Sequence, residues 1–262
     1  LENNDTTAQD IRNAMKISIL YSGGLDSFLL YRYAQKKYPN AEISAMYFKH
    51  GSISEQKEIE SLPSFVKIRE VKLIDEDHYL LSKNKKVNKG SIYISGRNLV
   101  FTVLLGSLDL PDEIWLGSTW EDDYPNSTDK NEHFRQATSD LLSYVLSPFI
   151  KNSIKVRFPI VELNLSKRNL VKYALTNKLA TKNEILKTVS CYNFTQQFPC
   201  GECWQCFSRA LIFKLENIES EKCMKDPFVS TNYIEKHKHI FSGNVKEIEF
   251  SKNIEELKNE HI

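Results

Sequence analysis

Apolar residues come in short runs parted by polar stretches. Residues 16–21 (KISILY) form the first run, which ends at a glycine pair and predicts a buried strand. Beyond Asp26, the positions of Phe28, Leu29, Leu30, Tyr33 and Ala34 repeat with helical spacing until Pro39-Asn40 stops them. The same reading predicts strands over 42–48, 66–73, 113–116 and 155–158. It predicts helices over 55–62, 98–108, 132–149 and 166–178, the one over 98–108 as a buried helix and the last capped by Ser166. Residues 75–89 are charged and read as a loop or a lid that orders on binding.

Strands alternating with helices give an α/β fold, a parallel sheet with helices on both faces in the Rossmann-like manner. Ligands then bind at the carboxyl ends of strands, where the glycine pair, Tyr47-Phe48 and Gly117 all fall. The expected organisation is a leader or tag over 1–14 with the native start at Met15, a nucleotide-using domain over 15–185, a cysteine-rich zinc-binding segment with a helix over 186–218, and a Lys/Glu-rich extension over 219–262.

Composition narrows the class. The 262 residues are 41% hydrophobic and 26% charged, with a formal net charge of +1, so no overall basic field points to a long nucleic acid. No apolar run approaches the roughly 20 residues that span a bilayer, and the first residues lack an apolar signal core, so the expectation is a cytoplasmic protein with no membrane partner.

Ser22-Gly23-Gly24-Leu25-Asp26-Ser27, between strand and helix, carries the first chemistry. Glycines let the backbone approach a polyanion, and the amides at a helix start favour negative charge. Ser22 and Ser27 add hydroxyls. Asp26 is a poor neighbour for phosphate unless Mg²⁺ bridges the two. A plain glycine turn is the bland alternative, but Ser-Gly-Gly-x-Asp-Ser after an apolar strand is far more specific. No Gly-Lys-Ser/Thr follows, so this is not a Walker loop.

Four of the five cysteines, Cys191, Cys200, Cys203 and Cys206, follow C-x8-C-x2-C-x2-C spacing. Such clustering in a reducing compartment reads as a structural Zn²⁺ site, with an iron–sulfur cluster as the chemical runner-up. Four thiolates leave no open position for substrate, so the expected task is to pin the C-terminal segment beside the phosphate loop. Cys223 stands apart and reads as an ordinary thiol.

The hexapeptide resembles the PP-loop of N-type ATP pyrophosphatases, which have an adenine nucleotide alpha-hydrolase-like fold. Together with the cysteine pattern it resembles one family, the 7-cyano-7-deazaguanine (preQ0) synthases of queuosine biosynthesis. Tyr93-Ile94-Ser95-Gly96-Arg97-Asn98, Asp123-Tyr124-Pro125 after Gly117-Ser118, Thr188-Val189-Ser190-Cys191-Tyr192 and Pro199-Cys200-Gly201-Glu202-Cys203 carry the likeness over about 15–214. Ser95 stands where the family has Pro, Val189 where it has Trp, and Lys49-His50-Gly51 follows the family only loosely.

The resemblance implies a C–N ligase that uses ATP and Mg²⁺ and releases AMP and pyrophosphate. Its substrates would be 7-carboxy-7-deazaguanine and ammonia, and it would act as a homodimer. ATP would be held by Tyr21, Ser22, Gly23, Gly24, Leu25, Asp26, Ser27, Arg97 and Gly117, with Asp26, Ser27, Arg97 and Lys167 catalytic. Asp123, Tyr124 and Tyr192 are the candidates for the base; Glu121 and Asp122 are alternatives to Asp123, and a solvated acidic loop or plain packing are the competing readings. His50 and His133 read as structural.

The departures leave three rivals: a diverged relative that joins a deazaguanine acid to another amine, in a phage, DNA-modification or defence system; another PP-loop enzyme; and a non-catalytic nucleotide-binding module whose extension docks a protein partner.

Overall fold

The computed structural model describes residues 14–51, 54–71, 96–122, 128–194, 197–219, 222–228, 251–256 and 259. The expected lid at 75–89, Tyr93, Ile94, Ser95, Asp123, Tyr124, Pro125, nearly all of the leader and residues 229–250 of the extension lie outside them.

Five parallel strands form one sheet in the order β3-β2-β1-β4-β5. They are β1 (Lys16–Leu20), β2 (Glu42–Lys49), β3 (Val66–Glu70), β4 (Glu113–Leu116) and β5 (Lys155–Arg157). β1 pairs with β2 on one side (Leu20 opposite Met46) and with β4 on the other (Leu20 opposite Leu116). Strand order reverses there, and the loops leaving β1 and β4 diverge into a crevice at their carboxyl ends.

Side chains alternate across the sheet with period two. Ile17, Ile19, Ala45, Tyr47 and Trp115 face one core, covered by α1 (Leu25–Lys37), α6 (Lys167–Thr176) and part of α8 (Trp204–Leu215). Met46, Phe48, Ile114 and Leu116 face the other, covered by α3 (Arg97–Asp109) and α4 (Glu132–Val145). Helices on both faces are therefore as expected. On the second face Ser18 and Ser44, both buried, point at the far end of α3 and donate to Asp109 Oδ2, Ser18 at 2.6 Å.

Several boundaries differ from expectation. β3 stops at Glu70 as an edge strand, and Ile68 is 38% exposed because only β2 flanks it. The helix expected to be buried, α3, is two-sided. Phe101, Thr102, Leu105 and Gly106 face the sheet, while Leu99, Val100 and Leu108 lie on the outer layer and are exposed. α4 ends at Val145, four residues early, and a turn follows. α2 (Glu55–Ser61) was expected; the short α5 (Pro159–Glu162) and α7 (Lys182–Leu186) were not, since one turn gives no periodicity. Ser166 caps α6 as expected, its Oγ accepting from Asn169 N at 3.2 Å.

The end of the extension docks onto the domain. Arg168 on α6 donates to Glu216 at 2.7 Å, to Asn253 at 3.1 Å and to Glu256 Oε1 at 2.7 Å. Ile254 packs on Phe207, Leu211 and Leu215 of α8. Hydrogen bonding from Arg168 holds the Glu256 carboxyl below the usual carboxylate range. This contact is therefore complete above the ordinary Glu value and is lost as pH falls through the lower folded value. Protection factors for hydrogen exchange at 251–256, corrected for the intrinsic rate at each pH, should be high at pH 7 and fall on acidification, and Arg168→Ala should abolish that pH dependence while destabilising the fold by about 3 kcal/mol, read by denaturant unfolding.

Candidate functional site

β1 delivers its chain into the crevice at Tyr21, and α1 begins four residues later with Gly24 as its N-cap. No side chain caps this helix start, so its first amides stay available to an anion. The two loop hydroxyls brace the turn itself. Ser27 Oγ accepts from Ser22 N and donates to Gly24 O, each at 3.1 Å, and Gly24 N donates to Ser22 Oγ at 3.3 Å. Tyr21 and Leu25 point into the core, Tyr21 edge-on to Phe65, so each offers the crevice only its backbone.

Gly117, just past β4, lies against this loop. A Cβ on it would stand 3.0 Å from Ser27 N and 3.2 Å from the Asp26 carbonyl carbon, so any side chain would push the loop away. Its neighbour Ser118 is buried, and Ser118 Oγ has no hydrogen-bond partner among the described residues.

Asp26 turns one oxygen to Lys167, Oδ2 lying 3.2 Å from Nζ. Its other oxygen, Oδ1, is buried and unpartnered among the described residues. An orphaned carboxylate oxygen beside an uncapped helix start suits a cation bridging to an anion. A relay continues from Lys167. Its Nζ donates to Gln205 Oε1 at 3.5 Å, and Gln205 Nε2 donates to Tyr192 Oη at 2.7 Å. The expected residues Asp26, Ser27, Lys167, Gly117 and Tyr192 are thus brought together.

Arg97 opens α3 on the β2 side. There Tyr47 donates to Glu58 Oε2 at 2.6 Å, with Ser54 on Oε1 at 2.7 Å. Burial, then the Glu58 charge, push the Tyr47 hydroxyl far above its usual value, and the Arg97 guanidinium opposes them. Arg97 therefore stands near this pair. Glu58 in turn abuts Gly23, whose Cβ position lies 3.4 Å from Glu58 Cβ. His50 is buried, with Nδ1 3.0 Å from Phe48 O, and His133 is exposed. Asp122, the alternative to Asp123, is buried and pairs with Lys130 at 3.4 Å.

The four cysteines converge, their sulfurs all within 4.8 Å of one another. Cys203 and Cys206 sulfurs are 3.5 Å apart, and Cys200 and Cys206 3.9 Å. A tetrahedral site with metal–sulfur bonds of about 2.3 Å has edges of roughly 3.8 Å, so the cluster is suited to a metal. Backbone amides of Asn193 and Cys200 point at Cys191 Sγ, and those of Glu202 and Cys203 at Cys200 Sγ, at 3.3–3.4 Å. Such donors stabilise thiolates. Gly201, at φ 74°, lies under residues 222–228: a Cβ there would stand 1.8 Å from Lys225 O.

Two residues that the sequence reading passed over organise this region. Arg209 on α8, 5% exposed, donates to Thr188 Oγ1 at 2.8 Å and to the carbonyls of Ile185 and Leu186 at 3.2 and 3.1 Å, and stacks on Phe213. It holds the segment from which Val189 N donates to Gly23 O at 3.0 Å. An arginine inside an apolar helical run was the available signal. The other is Lys130, for which a polar stretch of sequence offered none.

The family model for queuosine biosynthesis protein QueC matches residues 16–217. The 7-cyano-7-deazaguanine synthase of a Nitratiruptor species is 27% identical over 238 residues, covering 83% of this chain and 100% of that protein. The one from Thermoplasma volcanium is 28% identical over 210 residues, covering 73% and 83%. Among solved structures, the U34-tRNA thiolase NcsA from Methanococcus maripaludis with its 4Fe-4S cluster has a TM-score of 0.38 at 14% identity, covering 91% of this chain and 80% of that one.

If the cluster holds a metal, Cys203→Ser should lower the metal content of the purified protein relative to wild type, read by elemental analysis, and lower the melting temperature. Gly201→Ala should destabilise the knuckle through residues 222–228 even with all four cysteines in place.

Proposed function

The chain belongs to the QueC family of queuosine biosynthesis, and on that premise we propose that it converts 7-carboxy-7-deazaguanine and ammonia to 7-cyano-7-deazaguanine at the expense of ATP. Family and relatives make it an enzyme of synthase type. The observation that carries the ATP chemistry is the buried Oδ1 of Asp26, unpartnered among the described residues, beside a start of α1 that no described side chain caps.

In this reading a carboxylate oxygen of the acid attacks the α-phosphorus of ATP, the α–β bridging bond breaks, and pyrophosphate leaves. Ammonia attacks the acyl carbon, loses a proton, and AMP departs with one former carboxyl oxygen, giving the amide. The amide oxygen then attacks a second ATP in the same way. Loss of two N–H protons and of AMP with the last oxygen leaves the nitrile.

Charge stabilisation dominates such a reaction. The α1 amides and the Gly23-Gly24 backbone cradle the phosphates, Lys167 and Arg97 flank the loop, and Gly117 keeps the crevice open for the nucleotide. Asp26 would hold Mg²⁺, which would supply neutralisation of polyphosphate charge. Tyr192 is the described candidate for holding the base, and Asp123 and Tyr124, which lie outside the described residues, are proposed for the same role. The cysteine cluster takes Zn²⁺ in a structural role; its four thiolates leave no open position. Through α8, Arg209 and Val189 it steadies the loop.

Homodimerisation fits the outer side of α3 and α4, where Leu108, Leu141, Tyr144, Val145 and Phe149 are exposed, Tyr144 by 82%. Tyr144→Glu with Phe149→Glu should yield monomers by light scattering.

Asp26→Ala should lower acid-dependent pyrophosphate release by at least about a hundredfold while leaving the circular dichroism spectrum unchanged. Retained turnover would sink the loop assignment. Mass spectrometry of the wild-type product should show the nitrile.

A further inference from the structure

We infer that Lys130, held on the turn that follows Gly117, is the substrate-side cation of this site and receives the carboxylate of the acid to be activated. The inference rests on the deazaguanine-acid reading above and adds a residue that discriminates between that reaction's two acceptors, the anionic acid and the neutral amide.

Position is the first support. Lys130 lies just ahead of α4, and its Nζ is 3.4 Å from Asp122 Oδ1. The other Asp122 oxygen accepts from Thr119 N at 3.3 Å and Thr119 Oγ1 at 3.2 Å. Thr119 is two residues past Gly117, and Trp120 N donates to Leu165 O at 3.2 Å, two residues before Lys167. The ammonium is thus held on the turn that leaves β4, beside the phosphate loop. Between Gly117 and Thr119 lies Ser118, whose buried hydroxyl has no hydrogen-bond partner among the described residues, the mark of a place where a polar ligand belongs.

Access is the second. The Lys130 side chain is 36% exposed, and it lines a cavity of 230 Å³ with Phe158 and Val161 supplying apolar wall. That is below the roughly 300 Å³ at which drug-sized pockets begin, and it suits one small ring system rather than a nucleotide. Arg135 also lines it but is tied to Glu132, and Glu162 is tied to Arg157. An ammonium has three donors; Asp122 orients Lys130 through one and, among the described residues, is the ion-pair partner of this ammonium.

Charge is the third. Asp122 raises the Lys130 pKa above the usual lysine value, with Tyr192 and Asp129 acting the same way and Lys167 opposing. Lys130 therefore remains cationic, and Tyr192 and Lys167 lie within its electrostatic reach. Lys167 is already on Asp26 of the loop. A carboxylate drawn to Lys130 would thus lie within the electrostatic reach of both ammonium groups.

A charged anchor should bind the acid and be indifferent to the amide. The test is calorimetric titration of the full chain, with a non-hydrolysable ATP analogue and Mg²⁺ present, using 7-carboxy-7-deazaguanine and its 7-carboxamide separately. Lys130→Met should weaken the acid roughly tenfold to a hundredfold and leave the amide and the ATP analogue unchanged. Lys130→Arg should keep most of the acid affinity. Lys130→Gln, polar and uncharged, is the second variant and should behave as Met does. If wild type binds both ligands and the Met and Gln variants lose both equally, or neither, the role of Lys130 is overturned while the family reaction stands. Wild type that binds neither ligand would overturn the deazaguanine reading itself.

Discussion

Where β1 and β4 run side by side, the backbone of Gly117 meets the backbone of Asp26 and Ser27 at a distance that admits no side chain. The rest of the site depends on that approach. It sets the start of α1 against the end of β4, so that the uncapped amides, Asp26 and the turn carrying Ser118, Thr119 and Asp122 share one crevice. A parallel sheet that reverses its strand order provides such a crevice at one place, and the chain puts glycine on both sides of it.

The cysteine segment is built into this crevice rather than hung beside it. Val189 N reaches Gly23 O, and the stretch around Val189 is held by Arg209, a buried cation satisfied by a hydroxyl and two carbonyls at the end of α7. α8, which carries Arg209, starts inside the cysteine cluster and also supplies Gln205 to the Lys167–Tyr192 relay. Cysteine cluster, helix, arginine and glycine loop are thus in mechanical series, so the packing of the cluster bears on the geometry of the loop. The end of the extension adds a second tie to the same pair of helices through Arg168 and Ile254.

Electrostatically the crevice is balanced by alternation. Asp26 faces Lys167, Asp122 faces Lys130, and Glu58 lies near Arg97. Each of these charges has an opposite one nearby to offset its desolvation, yet Asp26 keeps one oxygen without a partner among the described residues.

The sequence by itself determined the α/β class, four of the five strands to within a residue or so, the glycine turn before α1 and the grouping of four cysteines, because these are local. Strand alternation, a Gly-Gly turn before a helix and C-x2-C spacing each express their physics within about a dozen residues. It also carried the family, through short motifs spread over the chain. Tertiary structure alone decided which faces are covered: α3 read as buried because its composition is apolar, whereas a helix on the outer layer has a neighbour on one side only. The same holds for Ile68 on the edge strand. Lys130 and Gln205 acquire roles only because β4, α6 and α8 converge, and each sits in a stretch whose residue types say nothing of what lies across the crevice; Arg209, set in an apolar run, showed as unusual but not what it would hold.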